Sequence, residues 1–142
     1  MLIKEIMSRD VITIPSDASL QDVGRTLKEK RISGVPIVND NGSIVGIITV
    51  TDLLRILGQI YQWKIIETEI PELKLSEIFE KEKSKAKVRD VMTKNVFTLK
   101  EDDTINDVFR MMFKKKIHTI PITKDGKLVG IVGKRDIVYS CF

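Results

Sequence analysis

The chain has 142 residues, a formal net charge of +4 and 42% hydrophobic content, enough for one compact domain or two packed half-domains with a real core. One cysteine, Cys141, and one histidine, His118, exclude a disulfide framework and a Cys/His metal cluster within a single chain. Lysines interspersed with carboxylates suit an anionic small ligand better than an extended polyanion, and with no signal-like leader or bilayer-length apolar run we expect a cytoplasmic protein, off the membrane.

In chain order, the β-branched run Val11-Ile12-Thr13-Ile14 predicts a first strand. Ser19, three residues before Asp22, opens a helix whose Leu20, Val23 and Leu27 share one face. Val35–Asn39 and Ile44–Thr49 then read as a hairpin closed by the turn sequence NDNG. Asp52 stands where a second helix begins, with Leu53, Ile56, Leu57 and Ile60 as its buried face. From about residue 61 to residue 87 a helical linker carries Tyr61, Trp63, Ile65 and Ile66, read as a helix covering the sheet, with a subunit contact as the alternative. Its end, EKEKSKAK, reads as a solvated stretch.

The same order then repeats. Val96-Phe97-Thr98-Leu99 predicts a strand, Thr104 and Asp107 a helix start, and Ile105, Val108, Phe109 and Met112 its apolar face. Ile120–Thr123 and Leu128–Val132 predict a hairpin across KDG, and Asp136 opens a last helix. At one constant offset Met7 pairs with Met92, Val11 with Val96, Asp22 with Asp107 and Pro36 with Pro121. After a one-residue deletion near Asn41, Gly46 pairs with Gly130 and Asp52 with Asp136. Two diverged copies of a β-α-β-β-α unit, at residues 1–60 and 88–142, are therefore expected to form an α+β pair packed through their sheets about a pseudo-two-fold axis. Such packing creates two related clefts.

The repeated order, with an apolar-x-apolar-Pro pattern in the second strand and G-h-h-T-x-x-D (h, apolar) leading into the last helix, resembles the CBS domain. A tandem pair of these is a Bateman module. GIITVTDLL and KKIHTIPI look most like a CBS pair of the regulatory γ subunit of AMP-activated protein kinase. The resemblance implies a non-catalytic sensor of AMP, ADP, ATP or S-adenosylmethionine, a disc-shaped homodimer and an effector protein that reads its state.

The residues can support that chemistry. A carboxylate at a strand-to-helix junction can accept both vicinal hydroxyls of a ribose, and the helix start beside it attracts a phosphate. Asp52, with Thr49 and Thr51, is so placed; an Asp there would equally serve as a helix cap with no ligand. By the resemblance His118 reaches across to the phosphate of this first site, where the adjoining Thr119 could add a hydroxyl. A base needs an apolar slot, and the strands around Thr98 and Pro121 could form its walls, although a proline at a strand start serves equally well to protect a sheet edge. Lys116 reads as a solvated helix end. The second site would hold Asp136 and Arg135 with Ser33, Gly34, Thr13 and Pro36. There GIVGKRD replaces GIITVTD, so the Asp52 site is expected to bind an adenine nucleotide more tightly.

Three other classes stand beside the sensor. An enzyme is disfavoured because the sequence contains no nucleophile with an adjacent base, no metal-ligand set and no G-x-x-x-x-G-K-[ST] loop. A ligand-free dimerisation scaffold is compatible with every residue. Nucleic-acid binding lacks a basic base-reading helix and interleaved aromatics.

Overall fold

A computed structural model describes the backbone of residues 1–68 and 86–142, and side chains of residues 1–59 and 86–142. The side chains of Tyr61, Trp63, Ile65 and Ile66 and the EKEKSKAK stretch up to Ser84-Lys85 fall outside the described residues.

Each repeat builds a three-stranded sheet. In the first, β1 (Ile14–Pro15) is parallel to β2 (Gly34–Val38), which is antiparallel to β3 (Ile44–Thr49). Helix α1 (Leu20–Lys30) connects β1 to β2, and α2 (Val50–Thr68) follows β3 without a loop. After the short α3 (Val88–Val91), β4 (Leu99–Lys100), α4 (Ile105–Lys115), β5 (Thr119–Lys124), β6 (Lys127–Gly133) and α5 (Lys134–Ser140) repeat the order and the pairing. The architecture is the α+β pair that the duplication predicts.

Local chemistry sets the boundaries. The Ser19 hydroxyl accepts the Asp22 N–H at 3.1 Å, and Thr104 and Asp107 cap each other reciprocally, at 3.3 Å and 2.9 Å. At the other ends α1 and α4 stop on Arg31 and Lys116, both left-handed, with φ of 54° and 55°. Between β5 and β6 the two-residue turn Asp125-Gly126 has positive φ at both positions, as a type I′ hairpin requires. The longer β2–β3 loop is organised by Asn39, whose Oδ1 accepts the N–H groups of Asn41 and Ser43. That difference is the deletion seen near Asn41.

The core is divided between the repeats, and each half borrows from the other. Leu20, Val23 and Leu27 of α1 pack on Ile14, Val35, Ile37 and Ile48, with Val88 of the second copy's leading segment inserted among them. Val108 and Met112 pack on Ile120, Ile122 and Val132, with Ile3 and Met7 of the first copy's leading segment inserted in turn. Backbone bridges fix the exchange: Ser8 pairs with Ile131 on β6, and Thr93 with Ile47 on β3. Methionines cap it, since a Cβ on Gly46 or Gly130 would lie 2.3 Å from the Met92 sulfur or 2.6 Å from that of Met7.

This exchange shortens the first strands. Residues 9–13 must travel from β6 of one sheet to β1 of the other, so Val11, Ile12 and Thr13 stay out of the ladder; Val96, Phe97 and Thr98 do the same in the second copy. The sheets approach through β2 and β5, where Gly34 leaves room for the side chain of its own counterpart: a Cβ there would stand 3.0 Å from the Thr119 hydroxyl oxygen.

Candidate functional site

Where the repeats meet, one continuous cleft of about 980 Å³ contains both T-x-x-D-type junctions. β3 delivers Thr49 to the first, and α2 begins immediately, so Thr51 and Asp52 stand on its first turn. The Asp52 carboxylate accepts the Thr49 N–H at 2.9 Å and its hydroxyl at 3.0 Å through Oδ2, and meets Arg55 at 3.4 Å through Oδ1. Thus Asp52 does cap its helix. Capping engages Oδ2, while Asp52 also lines the cleft.

At the second junction the Gly133 N–H donates to Asp136 Oδ2 at 2.7 Å, and the Ser8 hydroxyl, carried in by the exchanged segment, reaches Oδ1 at 3.4 Å. Gly133 supplies no hydroxyl where Thr49 does. Arg135 lines the cleft beside Asp136.

Ser33, Gly34, His118 and Thr119 line the same cleft, at the starts of β2 and β5. His118 is exposed, whereas Thr119 is only 8% exposed. Asp52 and His118 therefore share one cavity, as do Asp136 and Ser33.

Four expected residues are not part of its lining. Thr13 instead lines a separate cavity of about 300 Å³ with Arg9, Val11, Val38, Gly42, Leu128 and Val129, and Thr98 is exposed away from both. In their place Ile12 and Phe97, one residue earlier in each copy, line the main cleft, with Val96 beside Phe97. Pro36 and Pro121 lie two residues beyond Gly34 and Thr119 on the same strand faces and are buried.

The structure also adds residues. Arg31 and Lys116, the two left-handed helix ends, both line the cleft, so Lys116 is more than a solvated terminus and the Asp136 half is not without a neighbouring cation. Lys134 joins them, with Asp10, Asn95 and Thr93. Aligning the copies was the available signal: Arg31 falls opposite Lys116, and Ile12 opposite Phe97. The assembled chemistry is four fixed cations, three carboxylates, hydroxyls and apolar Ile12, Ile47, Phe97 and Ile131, suited to a ligand with a sugar, an anion and an apolar ring.

The comparisons with known proteins agree with this architecture. The CBS domain family model matches residues 3–59 and 88–141. In Methanocaldococcus jannaschii the uncharacterized protein MJ1426 is 38% identical, covering 99% of this chain and 90% of that protein. Among solved structures, the CBS domain pair of protein MJ0100 in complex with 5′-methylthioadenosine and S-adenosyl-L-methionine is similar at 30% identity and a TM-score of 0.78, covering 99% of this chain and 95% of that one. MJ1225 from M. jannaschii, proposed as an archaeal homologue of γ-AMPK, superposes with a TM-score of 0.80 at 26% identity; 99% of this chain matches 48% of that one, so the chain spans about half of it. The duplicated unit, its exchanged core and these matches make this chain a member of the CBS domain family, carrying the domain as a tandem pair.

Proposed function

We propose that the chain is a non-catalytic regulatory sensor of an adenosyl ligand, AMP, ADP, ATP or S-adenosylmethionine, bound in the cleft between the repeats. The observation that carries this reading is the convergence of Asp52 and Asp136, His118, and the cations of both copies on one cavity. The ligands of the MJ0100 pair, an adenosine thioether and its sulfonium parent, support the adenosyl class.

In this reading a ribose hydroxyl pair binds Asp52 Oδ1, displacing Arg55 from it, and the attached phosphate is met by the start of α2 at Thr51 with Lys116 and His118. A ligand selective for the folded state must raise the melting temperature by mass action. Thermal shift with AMP, ADP, ATP, S-adenosylmethionine and 5′-methylthioadenosine tests it; a flat response to all five would leave the scaffold reading in its place.

Thr49 and Thr51 give the Asp52 half hydroxyls that Gly133 and Arg135 do not, so mononucleotide is held more tightly there. Calorimetry with AMP should therefore show a larger loss for Asp52→Asn than for Asp136→Asn. Equal losses would remove the ranking.

No helix among the described residues is long and apolar enough to cross a membrane, and the reading is of a cytoplasmic homodimer. Exposed Leu54, Val138 and Tyr139 on α2 and α5 offer apolar surface for that contact. Light scattering at a monomer mass would refute the dimer.

A further inference from the structure

We infer that the stacked Phe109–Phe113 face of α4 is a docking surface for the acidic stretch between the repeats, residues 69–82, of a second copy of this chain. The inference rests on the homodimer reading and deepens it by naming what each copy gives the other.

Its first support is what differs between the two copies of one helix. The repeat sets Val23 opposite Val108 and Leu27 opposite Met112, so α1 and α4 share their buried face. On the outward side Gly24, Lys28 and Glu29 of α1 stand opposite Phe109, Phe113 and Lys114 of α4. Core packing does not account for that exchange, because Phe113 is 77% exposed. Its ring stacks on Phe109 one turn away, with centroids 6.2 Å apart and an interplanar angle of 11°, and Phe109 in turn packs against the second core. The outer ring is thus held on a firm base and turned to solvent, with Arg110 and Lys114 exposed beside it. An aromatic fixed in the open is an interface anchor, and its cationic border selects an occupant that is both apolar and acidic.

The second support is that the chain carries such a stretch. Across residues 69–82, which lie outside the described structure, Glu69, Glu72, Glu77, Glu80 and Glu82 outnumber Lys74 and Lys81, and Leu75, Ile78 and Phe79 recur at steps of three and four residues or fewer. Its apolar residues match the aromatic face. Its glutamates match the cations that border that face.

Where the stretch is tied decides which copy supplies it. Its described flanks both belong to the first repeat: α2 leads into it from β3, and after it Ala86 packs on the first core while Lys87 pairs with Ser19 at the start of α1. That start is the end of α1 remote from Arg31, which lines the cleft. Phe113 stands on the second repeat, within a turn of Lys116, which lines the same cleft. Anchors and ring therefore occupy different repeats and opposite ends of equivalent helices. A copy related by a two-fold axis supplies the stretch, and each chain gives one and receives one.

Crosslinking of the full chain tests this. A photoreactive benzophenone side chain placed at position 113 should join residues 69–82 of the partner, giving a product of twice the chain mass on a denaturing gel, with the joined peptides located by mass spectrometry. In sedimentation, Phe113→Ala should raise the dimer dissociation constant on the order of 10-fold or more, the usual loss of an aromatic anchor, and Lys114→Glu should raise it a few-fold. Both residues are exposed, so these variants should fold. Crosslinks confined to single chains, crosslinks to another part of the partner, no crosslink, or a dimer indifferent to Phe113→Ala would each overturn the inference. A natural protein that still sediments as a dimer in those cases leaves the homodimer reading standing, and a monomer removes both.

Discussion

Arg31 and Lys116 each combine a disfavoured backbone conformation with a place on the cleft. Each sits at φ near 55° with a Cβ, where an L-residue is disfavoured by about 1–2 kcal/mol and glycine is the usual occupant. The same position in both copies places a cation on the cleft. Replacing Arg31 by glycine should therefore relieve the backbone, leaving stability to urea unchanged or raised by up to about 1 kcal/mol after the extra unfolded-state entropy of glycine is set against it. Binding of the proposed nucleotide should fall several-fold in the same variant. A protein clearly destabilised by Arg31→Gly would show that the side chain holds the fold instead. Asp52 presents a related double use: its Oδ2 caps α2 through Thr49 while Oδ1 meets the partly exposed Arg55. Sequence reasoning left cap and ligand group as alternatives, and the geometry makes them compatible.

Among the elements, α4 carries the clearest local signature. Thr104 and Asp107 exchange hydrogen bonds at its start, Arg110 lies 3.0 Å from Asp107, and Phe109 stacks on Phe113 one turn apart. Thr104→Ala should cost about 1 kcal/mol of stability to urea, the usual loss for removing such a cap. The amide and then the hydroxyl of Thr104 hold the Asp107 carboxyl below its ordinary value; desolvation opposes them less strongly, and the charge of Arg110 adds a still smaller lowering. Because the folded form is the stronger acid, its contribution is complete above the unfolded carboxylate range and is lost as pH falls through the folded value. The stability difference between the natural protein and Asp107→Asn should thus stay level from neutral pH to about pH 5 and shrink at lower pH. A difference that persists unchanged into strong acid would mean that the carboxylate charge is not involved.

At the scale of the whole molecule, the exchanged leading segments tie the cores of the two repeats together. Ile3 is fully buried in the second repeat's core although it opens the first, and Val88 is fully buried in the reverse sense. Ile3→Ala should cost about 2–5 kcal/mol, as truncating a buried isoleucine does, whereas Lys4→Ala at the exposed neighbouring position should cost little. Unfolding should remain a single transition when followed by probes placed in either repeat. Two separable transitions would mean that the borrowed residues do not couple the halves. The same exchange has a consequence for the site, because Ser8 and Thr93 reach the cleft only by crossing to the opposite repeat.

Much of this protein was legible in the order of its residues. Hydrophobic periodicity, hydroxyl–carboxylate caps and turn chemistry are local, so strands, helices and hairpins followed from neighbours in sequence, and duplication implied the pairing of two alike halves. Family likeness to the T-x-x-D and HTIP motifs located Asp52, Asp136, His118 and Thr119, all of which line one cleft. Tertiary structure decided the rest. Which residues of the crossing segments face the cavity depends on how those segments pass between the sheets, and this exchanged Thr13 and Thr98 for Ile12 and Phe97. Which core receives Ile3 or Val88 depends on crossings between distant segments, which local patterning does not encode. The two aspartates were readable one at a time; that they open onto a shared cleft was settled by the contact of β2 with β5, where Gly34 makes room for Thr119.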